Sequence, residues 1–92
     1  MSKLLNGIFI DGNPSGTLSS GGQQLKNCVV SITTALLGNL TISDASTANN
    51  PPTIISSGSV GALPLAKDLW APAFYSLSNP SDVGKVQITW SL

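Results

Sequence analysis

The chain has 92 residues, with four lysines, four aspartates, no histidine, one cysteine and a formal net charge of zero. One cysteine excludes an internal disulfide, and the lack of histidine leaves poor ligand chemistry for zinc. Four scattered lysines balanced by four aspartates make no phosphate-neutralising footprint, which argues against nucleic acid as a partner.

A 92-residue chain fits one small domain, residues 1–92, whose stability needs support beyond a modest core. With disulfides and metals set aside, oligomerisation is the support that remains. So low a charge content suggests a protein that packs against neighbours. No apolar run reaches the ~18 residues of a membrane span. The N-terminal stretch MSKLLNGIFIDG has too short an apolar patch for a secretory signal. A free thiol fits synthesis in a reducing cytoplasm.

In chain order, residues 1–24 are expected to be an N-terminal arm and loop. GIFID is a short strand within it, and GNPSGTLSSGGQQ is a loop of turn-forming residues. Residues 25–92 form the β core. KNCVVSITT alternates, with Cys28, Val30 and Ile32 on one face and Asn27, Val29, Ser31 and Thr33 on the other. LTIS places Leu40 and Ile42 inward, and Gly38-Asn39 suits a two-residue hairpin turn between these two segments. PPTIISS reads as a strand entered through Pro51 and Pro52, which tolerate only a strand start or an edge.

In VGALPLAKDLWAPA, Pro64 and Pro72 forbid a long helix and leave room for a short turn over Leu65 to Trp70. AFYSLS is a strand with Phe74 and Tyr75 on opposite sides. GKVQITWSL alternates most cleanly, with Val86, Ile88, Trp90 and Leu92 on one face. Burying those four side chains contributes roughly 8 kcal/mol before entropy, at ~2 kcal/mol each. About six or seven short strands at this spacing predict an all-β fold, a small sandwich or jelly-roll-like barrel.

The aspartates occupy turn-like contexts, IDGN, SDAS, AKDL and PSDVG. Asp44 is weighed as a shared-proton carboxylate of a dimeric aspartic protease. It lacks the glycine of the Asp-Thr/Ser-Gly turn, being followed by Ala45-Ser46, and is read as a turn residue. A hydrolase triad needs a base, and there is no histidine to serve. No enzyme and no cofactor are expected. Cys28 reads as a small buried residue, with Lys26 on its own strand face. Trp90 and Phe74 read as core. Trp70 and Tyr75 each read first as core, with an interface anchor or a sugar-stacking platform as the alternatives.

The segments NCVVSI, GNLTISDAS, PPTIISSGSVGALPL, APAFYSLSN and VGKVQITWSL together resemble small virion proteins of tailed bacteriophages, over roughly Asn27 to Leu92. That resemblance implies a structural role, most directly as a capsid cement or decoration protein on the virion surface. Its partners would be itself, as a homo-oligomer such as a trimer, and the major capsid protein. The expected interface residues are Leu4, Leu5, Ile8, Phe9, Leu63, Leu65, Leu69 and Trp70. The alternative is a carbohydrate- or receptor-binding module of a tail or fibre, using Trp70 or Tyr75 as a stacking face.

Overall fold

The computed structural model describes residues 6–19, 24–45 and 51–91. Among these, nine strands form two antiparallel sheets: β1 (Asn6–Ile10), β2 (Ser15–Ser19), β3 (Gln24–Ile32), β4 (Leu40–Asp44), β5 (Thr53–Ile55), β6 (Gly61–Pro64), β7 (Leu69–Trp70), β8 (Ala73–Leu77) and β9 (Val86–Ser91). The first sheet runs β1-β9-β3-β6, with β7 also on β3, and the second runs β2-β8-β4-β5.

The pairing is nested. β1 pairs with β9, β2 with β8, β3 with β6 and β7, and β4 with β5. A long hairpin rolled over on itself produces this order, which is the jelly-roll arrangement of two sheets. The all-β sandwich read from the sequence is therefore the observed fold, with strand β2 inside the segment expected to be a loop. Leu18 of β2 is buried in the core, which draws that segment into the second sheet. Gly61–Pro64 forms β6, and the end of the segment Leu65 to Trp70, expected to be a short turn, forms β7.

Alternation decides which side chains fill the space between the sheets. Cys28, Val30 and Ile32 of β3 meet Leu40 and Ile42 of β4 and Val86, Ile88 and Trp90 of β9 in one core. The inward sets read from KNCVVSITT, LTIS and GKVQITWSL are those observed; Leu92 lies outside the described residues.

The expected hairpin between β3 and β4 does not exist. β3 pairs with β9, β6 and β7, whereas β4 pairs with β8 and β5 in the opposite sheet. Residues 33–39 arch across the end of the sandwich instead, because Leu36 is buried there and the arch is bonded on both sides. Leu36 N–H donates to Ser59 O at 3.1 Å, and Ser78 N–H donates to Asn39 O at 2.9 Å. Gly38 is needed for close approach. A Cβ there would collide with Ser78 Oγ and sit 3.0 Å from Asn79.

A bulge interrupts β3 between Lys26 and Val29. Asn27 takes a left-handed φ of 54°, a conformation asparagine adopts more readily than most residues. Lys26 and Asn27 are both exposed as a result, while Leu25 and Cys28 both point inward. Lys26 therefore does not share a face with Cys28 as simple alternation suggested.

Candidate functional site

The carboxylates and the thiol are committed to structure. Asp82 is fully buried and accepts the Leu37 and Gly38 N–H groups at 2.9 Å each and the Lys85 ammonium at 2.9 Å. Burial acts to raise its pKa, but the two N–H donors and Lys85 together outweigh that and hold it below the usual carboxylate range. Asp82 thus clamps the β3–β4 arch to the turn before β9. Its side chain reaches much further than the local turn role its PSDVG context suggested.

Asp44 is 4 % exposed, and its Oδ2 accepts the Trp70 N–H at 2.8 Å. Cys28 is buried and donates to Leu25 O at 3.5 Å. Burial first, and the nearby Asp68 charge second, push its thiol up to about 11, with the Leu69 backbone hydrogen bond opposing. Such a thiol is protonated and inert at neutral pH.

The surface that remains consists largely of the two outer sheet faces. Register places Phe9, Gln87, Ser31 and Ala62 in one row across the first sheet, and Gly7, Thr89, Val29 and Pro64 in the next. Across the second sheet, Ile54, Thr41, Ser76 and Ser15 form one row, and Ser43, Phe74 and Thr17 another. These rows carry no charged residue. Lys26 borders the first face at the bulge, and Asp11, Lys67 and Asp68 lie in loops. No family model, curated protein or solved structure matches this chain.

The expected interface residues are divided by the fold. Phe9 and Trp70 are about half exposed, at 51 % and 47 %. Ile8, Leu63 and Leu65 are half-buried against the core, and Leu69 is buried within it. Leu69 faces inward because it pairs with the buried Leu25 on the first sheet's inner side. Leu4 and Leu5 lie outside the described residues.

The core reading needs correction for two aromatic residues, Phe74 and Trp70. Phe74 is exposed on the second sheet, since its neighbours Ala73 and Tyr75 take the inward positions. Trp70 is exposed beside its cross-strand neighbour Gln24, whose Nε2 donates to Asp68 at 3.2 Å. Tyr75 packs partly against the core and donates its hydroxyl to Asn13 O at 3.2 Å. Sequence reasoning missed Leu37, Ile54 and Val60, which are also exposed. For Ile54 the signal was available, because Ile55 beside it takes the inward position of a strand.

Proposed function

We propose that this chain is a structural protein that acts by packing its sheet faces against other proteins, and specifically that it is a cement or decoration component of a tailed-phage capsid. The observation that carries this reading is that the four described cross-strand rows of the outer faces hold no charged residue, combined with large apolar side chains set among short hydroxyl residues. Phe9 stands on one face, and Ile54 and Phe74 on the other. Burying such a surface requires no ion to be desolvated, and serine and threonine have little rotamer freedom to lose. Protein interfaces use this combination, with aromatic anchors inside a neutral, hydrogen-bonding surround. The partners are the major capsid protein and further copies of the chain, and repetition over one shell multiplies modest contacts.

The test compares particles assembled with and without the protein. Particles lacking it should assemble, then release their genome at lower temperature or lower salt. Restoring the purified chain should recover that resistance, and a Phe74→Ser, Ile54→Ser chain should recover less. Equal resistance with and without the protein would overturn the reading.

A further inference from the structure

We propose that Trp70, Gln24 and Asp68 form a binding platform for a neutral carbohydrate, with the indole stacked on one face of a sugar ring and the amide and carboxylate bonding its hydroxyls. The site goes beyond the capsid role proposed above and stands on different residues from Phe9, Ile54 and Phe74.

Three side chains meet at one end of the first sheet. The Trp70 indole is about half exposed. Its cross-strand partner on β3 is Gln24, so these two side chains leave the sheet on the same side, opposite to the buried pair Leu25 and Leu69. Gln24 Nε2 donates to Asp68 Oδ2 at 3.2 Å, which brings a half-buried carboxylate to the same place. The mount of the ring is also rigid. Trp70 N–H donates to Asp44 Oδ2 at 2.8 Å, and Trp70 O accepts the Ala45 N–H at 3.0 Å. Both backbone polar groups are thereby tied to the end of β4 in the opposite sheet. A ring held in place loses little freedom when a ligand covers it, so more of its contact energy becomes affinity.

The neighbours of the ring decide the class of ligand. The rows that hold Phe9, Ile54 and Phe74 contain no carboxylate, whereas the residue across from Trp70 is bonded to one. The apolar anchor of a protein partner would cover that amide and carboxylate along with the indole, and burying polar groups without new partners is costly. A pyranose with equatorial substituents has the matching chemistry. Its axial C–H bonds make an apolar face that suits an aromatic ring, and the hydroxyls at its rim are donors and acceptors at once. The carboxylate takes rim hydroxyls as charge-assisted donors, and the amide both donates and accepts. The negative charge of Asp68 opposes an anionic ligand, which leaves a neutral sugar. One ring covers one face of the ligand, so the affinity is weak, with a dissociation constant of about 1–10 mM.

The test is a titration of the full chain with cellotriose, a neutral trisaccharide of β-linked glucose, followed by nuclear magnetic resonance. The Trp70 indole N–H signal should shift saturably, with its midpoint at about 1–10 mM sugar, while that of the buried Trp90 stays in place. Salt at about 0.5 M should leave the curve unchanged, because the ligand carries no charge to screen. Trp70→Ala should abolish the shifts of the Gln24 and Asp68 signals, and Trp70→Phe, which keeps an aromatic face, should retain part of them. Asp68→Ala and Gln24→Ala should each weaken binding about fivefold or more, and Asp68→Asn, which keeps an acceptor, should weaken it less. Melting temperatures of all variants control for folding. No saturable shift up to about 50 mM cellotriose, several times the expected midpoint, would overturn the proposal. So would binding that survives Trp70→Ala or ignores Asp68→Ala. The capsid reading is tested on particles with Phe74 and Ile54 variants, so the two can fail separately.

Discussion

Asp44 Oδ2 accepts the Trp70 N–H at 2.8 Å, and the adjoining Ala45 N–H donates to Trp70 O at 3.0 Å. These two bonds tie the end of β4 in one sheet to β7, which is paired with β3 in the other. The carboxylate that a sequence reader weighs as a catalytic group is therefore an acceptor that closes one side of the sandwich.

Asp44→Ala leaves the Trp70 N–H without that acceptor and should cost about 1–3 kcal/mol. Asp44→Asn keeps an amide oxygen for the same N–H and should cost less. Chemical denaturation of the three chains checks the order. Equal loss for both substitutions would show that the acceptor oxygen is not what matters.

Asp82 should make stability fall in acid. Its folded pKa is held below the unfolded value, so its contribution is fully present above the ordinary carboxylate range near pH 4. The contribution is lost as pH falls through the lower folded value. Asp82→Asn should cost about 2–4 kcal/mol at neutral pH, because Lys85 and the arch lose their charged partner. The gap in melting temperature between wild type and Asp82→Asn should therefore narrow steadily below about pH 4. Thermal melts from neutral to strongly acid pH measure it, and a constant gap would contradict the sign argued here.

Cys28 should resist modification while the chain is folded. The thiol is 1 % exposed and titrates near 11, so neither access nor thiolate is provided at pH 8. A thiol-reactive chromogen should label one cysteine per chain in denaturant and almost none without it. Fast labelling of the native protein would mean that the core around β3 opens readily.

Trp90 carries a mixed energetic account. Its ring fills the core at 5 % exposure, yet among the described residues its Nε1–H has no acceptor. Trp90→Ala should cost about 3–5 kcal/mol and unfold much of the population. Trp90→Phe removes the orphan donor together with part of the ring, and should cost about 2 kcal/mol or less. Denaturant midpoints for the two variants separate the packing contribution from the polar one.

Local periodicity made the inward faces of β3, β4 and β9 legible. A half-buried strand must alternate, and VQITW or CVVSI can alternate in only one way. Phe74 shows where that rule runs out. Ala73-Phe74-Tyr75 offers aromatic residues to both faces, and only the position of β8 between β2 and β4 decides that Tyr75 turns inward. Of the residues expected at an interface, Phe9 and Trp70 are exposed whereas Leu69 is buried, because an apolar loop and an apolar strand end have the same composition.

What the sequence determined by itself is the all-β class, the inward residues of its clearest strands and the shortage of charge. These follow from side-chain chemistry and the two-residue repeat of an extended chain. What only the tertiary structure decided is which strands pair. The step from β3 to β4 looks like a hairpin because Gly38-Asn39 suits a tight turn. The buried Asp82 carboxylate, 45 residues beyond Leu37, instead draws the Leu37 and Gly38 N–H groups into an arch between the sheets. Nothing local to residues 33–39 encodes that partner, since a buried charge takes its donors from whatever the fold brings within reach.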